Sequence, residues 1–118
     1  MAESNKSILE KANAAISRGD IEGFLSFCAD DIEWTTVGDT TLKGKHAVRQ
    51  MMTREYVEPP KYTVTTLIGE GEFLTALGDI YAKDENGKEA LHSYCDVWRF
   101  RDGKMVQLMA FVIKAMGR

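Results

Sequence analysis

Asp96 sits in the apolar and aromatic run Tyr94-Cys95-Asp96-Val97-Trp98. An ionised carboxylate is costly in such surroundings unless it is paired or hydrogen-bonded. The residue therefore either faces a ligand, as an acid or hydrogen-bond donor, or is satisfied by Tyr94, Trp34 or ordered water. His92 lies four residues earlier on the same run; its imidazole suits acid or base work near neutral pH, or it occupies a strand rim. Asp79 either accepts phenolic hydrogen bonds from Tyr62 and Tyr94 or joins the acid–base set. Asp96, His92 and Asp79 are the candidate catalytic residues. Cys28 has no adjacent histidine or basic residue to lower its pKa and reads as an inert thiol. The histidines and cysteines lack metal-ligand spacing, and the glycines form no phosphate loop, so neither metal nor cofactor is expected.

These groups need elements to hold them. Residues 7–17 carry Ile8, Leu9, Ala12, Ala15 and Ile16 at helical spacing behind a serine cap, with Gly19 as a stop. Asp20 caps a second helix with Ile21, Phe24, Leu25 and Cys28 on one face, expected to end near residues 29–31. Residues 32–37 predict a strand that places Trp34 and Thr36 on one face, and a loop follows. Residues 44–56 predict a third helix with Ala47, Val48, Met51 and Met52 inward, stopped before Pro59-Pro60.

Beyond the prolines, β runs joined at Glu70-Gly71, Asn86-Gly87 and Asp102-Gly103 predict a four-stranded antiparallel meander. Two-residue turns at those dipeptides set Tyr81 opposite His92, Asp79 opposite Tyr94, Leu77 opposite Asp96 and Asp96 opposite Met109. One face then carries aromatic residues among a few polar groups, as ligand pockets do. Its expected ligand-binding residues, together with those of the helices and first strand, are Trp34, Thr36, Cys28, Met52, Tyr81, Tyr94, Trp98, Met109 and Phe111. The opposite face, with Leu74, Ala76, Cys95, Val97, Val106, Leu108 and Ala110, is apolar. Three helices cannot cover both faces, so a homodimer is expected to bury the second.

With 118 residues, 44% of them hydrophobic and 28% charged, the chain fits one globular domain over residues 1–118. A net charge of −3 argues against nucleic-acid binding. No apolar run is long enough to span a bilayer, no signal peptide opens the sequence, and two cysteines do not make a disulfide scaffold. A cytoplasmic protein with no membrane partner is expected.

The order of these words is specific. A helix, Arg18-Gly19-Asp20-Ile21-Glu22, a second helix, Ala29-Asp30-Asp31-Ile32-Glu33-Trp34, a Leu42-Lys43-Gly44 lead into a third helix, and a meander ending Asp96-Val97-Trp98-Arg99-Phe100-Arg101-Asp102-Gly103-Lys104 resemble the SnoaL-like and ketosteroid-isomerase-like branch of the nuclear transport factor 2-like superfamily. The resemblance implies an α+β fold: a cone-shaped, cystatin-like roll with three N-terminal helices packed on a curved antiparallel sheet. In ketosteroid isomerases a first-strand carboxylate moves the proton, while a helix-one tyrosine and a protonated sheet aspartate hydrogen-bond the enolate oxygen. The aspartate position falls on Asp96, the base position on Thr36 and the tyrosine position on Ala12. Threonine has no proton affinity near neutral pH, so steroid isomerisation by that route is not expected. The reading is a pocket for a small, largely apolar molecule. It belongs either to a cofactor-free isomerase, cyclase, dehydratase or hydrolase, or to a non-catalytic module for hydrophobic-ligand binding or dimerisation.

Overall fold

Ser4 starts the first helix, ahead of the expected beginning: its hydroxyl accepts the Ser7 N–H at 3.1 Å, and α1 runs Asn5–Ser17. The structure, a computed structural model, describes residues 4–115. The stripe Ile8, Leu9, Ala12, Ala15 and Ile16 is buried, as its spacing requires. Asp20 accepts the Gly23 N–H at 2.9 Å and caps α2, Ile21–Leu25. This helix is shorter than its pattern suggested. The chain is extended from Cys28 onward because ladder pairing begins there, with the Met105 N–H donating to the Phe27 carbonyl at 2.8 Å. Strand β1 is therefore Cys28–Thr36, and β2, Thr40–Lys43, folds back on it where only a loop was expected. Helix α3 spans Lys45–Glu55 and ends at Tyr56, whose N–H still bonds the Met52 carbonyl.

The remaining strands are β3 (Tyr62–Glu70), β4 (Phe73–Lys83), β5 (Glu89–Arg101) and β6 (Lys104–Lys114). They form the expected meander within one six-stranded sheet of order β2-β1-β6-β5-β4-β3, in which only β1 and β6 run parallel.

Its faces differ from those that two-residue turns would give. The β4–β5 connection has five residues, because the Asp84 side chain accepts the N–H groups of Asn86 at 2.9 Å and Lys88 at 3.0 Å. Lys83 then pairs with Glu89, and Asp96 lies opposite Ala76 instead of Leu77. The Asp102-Gly103 turn forms as expected, but a bulge at Val106 shifts the register beyond it, and Asp96 meets Ala110 instead of Met109. On β3 the turn is Gly71-Glu72, and a second bulge lies between Val64 and Thr66. A one-residue slip reverses every side chain beyond it. Asp79, Tyr81, Met109 and Phe111 accordingly face outward with Cys95 and Val97, while Leu74, Ala76, Leu108 and Ala110 face the helices.

The core is the layer between α1, α2, α3 and this inner face. Leu9, Leu25, Ile32, Met52, Leu74, Met105 and Leu108 are almost fully enclosed there.

Candidate functional site

Asp96 occupies the middle of the covered face. Pairing across the sheet aligns Thr36 of β1, Ala110 of β6, Asp96 of β5 and Ala76 of β4 in one transverse row. Neighbouring strands lie ~4.8 Å apart, so Thr36 and Asp96 are separated by roughly 10 Å with only the Ala110 methyl between them. Small residues, Ala110 and Ala76, stand on both sides of Asp96 along the row.

The next row, two residues along, carries Trp34, Leu108, Trp98 and Leu74. Trp34 meets Trp98 edge-on at 5.7 Å between ring centroids, and Phe24 of α2 closes the trio at 6.1 and 6.3 Å. Cys28 and Met52 lie in the enclosed core, each 1% exposed. The Cys28 thiol is turned to the Phe24 carbonyl, and burial pushes its pKa up to about 12, which suits a packed thiol and not a nucleophile.

On the other side of the central row stand Tyr94 and then His92. Tyr94 passes over Gly78, and its hydroxyl donates to the Thr63 carbonyl at 2.8 Å. A side chain at position 78 would collide with that carbonyl and come within 2.8 Å of the Tyr94 oxygen, so glycine is required. His92 is buried on the same face, with Nδ1 2.9 Å from the Ala90 carbonyl. This contact fits the Nδ1–H tautomer, which leaves Nε2 as an acceptor. Four residues of strand separate His92 from Asp96, roughly 13 Å, so the two do not touch.

Asp96 makes no hydrogen bond to another described residue, and no buried side-chain polar atom of the described residues is both sealed and unpaired. The carboxyl oxygens therefore border open space. Burial among apolar walls raises the pKa to about 7, from an ordinary value of 3.8, so near neutrality much of the population is the neutral acid. The hydroxyl of Tyr56, at the end of α3, is in the same condition: half-buried, not sealed, and without a hydrogen bond to another described residue. Burial first, and the nearby Asp96 charge second, push the Tyr56 phenol up to about 12.

The structure thus brings Asp96, Thr36, Trp34, Trp98 and Tyr94 to one face, with His92 farther along it and Met52 in the helical layer. It does not bring Asp79, Tyr81, Met109 or Phe111 there. Asp79 accepts a long hydrogen bond from Ser93 at 3.5 Å on the outer face, and Tyr81 is half exposed. Open grooves of about 270 and 320 Å³ lie elsewhere, the first beside the Gly71 turn and the second between the outer side of α1 and β3. Sequence reasoning misses Tyr56, which reads there only as the last residue of a helix. The spacing of Val48, Met52 and Tyr56, four residues apart, is the available signal that it faces inward. Among the described residues no group of three or more histidines, cysteines or acids could hold a metal, and no helix is long and apolar enough to cross a membrane.

Residues 9–108 match the SnoaL-like domain family, and the chain belongs to it. Its fold is that of nuclear transport factor 2-like proteins: one of unknown function from Cytophaga hutchinsonii is 25% identical, with a TM-score of 0.76 over 93% of this chain and 100% of that one. An epoxide hydrolase of the LEH-like type from M. tuberculosis superposes with a TM-score of 0.78 at 13% identity, covering 90% of this chain and 80% of its own. TerC, co-crystallised with polyporic acid, gives 0.76 at 20% identity, covering 90% and 88%. No curated protein matches the chain by sequence.

Proposed function

We propose that the covered face binds a small, largely apolar molecule bearing an oxygen acceptor, and that Asp96, as a neutral carboxylic acid, donates a hydrogen bond or proton to that oxygen. The observation that carries this reading is an inward carboxyl among aromatic walls with no hydrogen-bond partner among the described residues and its oxygens unsealed. Satisfying such a group falls to a ligand or, in its absence, to water. A ligand about two rings long would reach from Asp96 to the free nitrogen of His92, which acts at its far end. The chemistry is cofactor-free acid catalysis of isomerase, cyclase, dehydratase or hydrolase type. An epoxide hydrolase and a protein crystallised with polyporic acid among the structural neighbours support a small-molecule role. Thr36 at the position of the steroid isomerase base favours a second reading, binding without turnover.

The outward face supports the expected homodimer, although through a different residue set. Phe73, Tyr81, Met109, Phe111 and Ile113 are all at least 37% exposed on or beside it, a larger apolar patch than scattered surface residues make. Both cysteines are free thiols, which suits a reducing compartment such as the cytoplasm.

Carbon NMR of labelled aspartate tests the site. Asp96 is expected to titrate near pH 7 in the free protein, and Asp96→Asn is expected to retain the binding of carbonyl compounds that Asp96→Ala weakens. Titration near the ordinary value, or equal binding by both variants and the wild type, would refute the reading.

A further inference from the structure

We propose that His92 is a hydroxyl-selecting anchor at the far end of the Asp96 site, so that the ligand is a neutral molecule about two rings long with an acceptor oxygen at one end and an O–H donor at the other. The inference rests on the Asp96 reading for the acceptor end and adds, from separate observations, the chemistry of the opposite end.

His92 is only 9% exposed, yet one of its two ring nitrogens has no hydrogen bond to another described residue. Nδ1 lies 2.9 Å from the Ala90 carbonyl, which can only accept, so the proton sits on Nδ1 and the neutral ring keeps a lone pair on Nε2. Nε2 stands across the ring from that contact. No buried side-chain polar atom of the described residues is both sealed and unpaired, so Nε2 borders open space. An enclosed acceptor left in this state is satisfied by a donor from outside the protein.

The strand pairing defines where such a molecule lies. His92 is opposite Lys114, Tyr94 opposite Val112 and Asp96 opposite Ala110, so all six share the helix-facing side of β5 and β6. Tyr94 stands between the two polar residues without covering β6. Its hydroxyl reaches the Thr63 carbonyl on β3, which carries the ring the other way, across β4 and over Gly78. On β6 the stretch between the rows of Asp96 and His92 carries only Ala110 and Val112. Val112 is 40% exposed although it faces the covered side, and β1 ends at Thr36, so no described strand lies beside β6 beyond Ala110. The site opens there, and a ligand entering over Val112 has the Asp96 carboxyl at one end and Nε2 at the other.

The same end disfavours an acidic ligand. Lys114 is the cation opposite His92, and its ammonium is held by Asp84 at 3.5 Å and Glu85 at 3.8 Å. A carboxylate would meet the imidazole lone pair, whereas an alcohol or phenol donates to it.

The probes are 4-(4-hydroxyphenyl)cyclohexanone and 4-(4-methylphenyl)cyclohexanone, which share the ketone and the length and differ by a hydroxyl in place of a methyl group. Without a partner for the hydroxyl, the methyl compound binds roughly tenfold tighter, since burying an unpaired hydroxyl is costly. The wild type is expected to prefer the hydroxyl compound by about fivefold in calorimetry. His92→Phe, which keeps a planar ring, is expected to reverse that preference while binding the methyl compound as the wild type does. Asp96→Ala is expected to weaken both ketones alike and leave the preference intact. Nitrogen NMR of labelled histidine supplies a readout that needs no variant: the Nε2 resonance is expected to move with the hydroxyl compound and not with the methyl one. A wild type that favours the methyl compound, a preference that survives His92→Phe, or an unmoved Nε2 resonance would overturn the inference, and weakening of both ketones in Asp96→Ala would then leave the Asp96 reading standing. A His92-dependent preference with affinities untouched by Asp96→Ala would sink the Asp96 reading alone. Absence of saturable binding of either ketone by the wild type would overturn both.

Discussion

Replacing Asp96 with asparagine removes the titrating proton while keeping nearly the same shape, and its effect on stability has a sign fixed by the raised pKa. In the unfolded chain an aspartate releases its proton near its ordinary value of 3.8, whereas in the folded protein Asp96 keeps it up to about 7. Between those limits the native state binds more protons than the unfolded state, so the contribution to stability is greatest below about pH 4, falls as pH rises toward 7, and then levels once both states are charged. At about 1.4 kcal/mol per pH unit, the interval is worth about 4 kcal/mol at most. That is a large share of the ~5–15 kcal/mol that holds a domain of this size. The asparagine variant cannot ionise at this position and escapes the loss. Urea unfolding of the wild type and Asp96→Asn, at one protein concentration and a series of pH values, isolates the effect, because every other carboxylate cancels in the difference. The variant is expected to gain stability relative to the wild type across the window from about pH 4 to about pH 7. A difference that stays flat with pH, or that shrinks as pH rises, would show that the Asp96 carboxylate is satisfied in the folded state and that the acid assignment is wrong.

Gly78→Ala is expected to destabilise the protein by at least about 2 kcal/mol, because a methyl group there strikes the Thr63 carbonyl, whereas Tyr94→Phe should cost only about 1 kcal/mol for one hydrogen bond; chemical denaturation of the two variants checks the ranking. In a dithionitrobenzoate assay, Cys28 is expected to react only on unfolding, since burial keeps its thiol protonated. Early labelling of Cys28 would mean that the layer beneath α2 opens readily. Met109→Glu and Phe111→Glu should convert a dimer to a monomer in light scattering without lowering helix content by circular dichroism; a wild type already monomeric at micromolar concentration would end the interface assignment.

Helix content, the C-terminal meander and the family were all legible in the sequence, because periodicity and punctuation act locally. Ile8 through Ile16 state a helix face by themselves, and so does Asp20 as a cap. What was not legible was which way β4 and β6 face. That depends on single-residue offsets: the Asp84 side chain drawing two extra N–H groups into its loop, and the bulges at Val106 and beside Thr65. Alternating patterns on both faces of β4 and β6 are apolar, so hydrophobicity could not choose between Met109 and Ala110, or between Leu77 and Ala76. Asp96 with Trp98, and Trp34 with Thr36, share a face as expected because residues two apart on one strand point the same way whatever the register. Tyr56 needed the folded layer, since nothing local distinguishes an inward tyrosine at a helix end from a solvated one.

The sheet order carries a consequence for how the protein is made. Strand β6 follows every other element in the chain, yet it lies between β1 and β5 and joins the α1–β2 half to the β3–β5 half. While a ribosome is still threading residues 104–114 through its exit tunnel, β1 has no partner other than the short β2, and the helices have only part of the surface they will cover. Closure must therefore wait until β6 has left the tunnel and must join contacts about 75 residues apart, which favours slow, all-or-none folding. Until then the edges of β1 and β5 that β6 will fill are unpaired, the kind of edge on which strands of other chains can add.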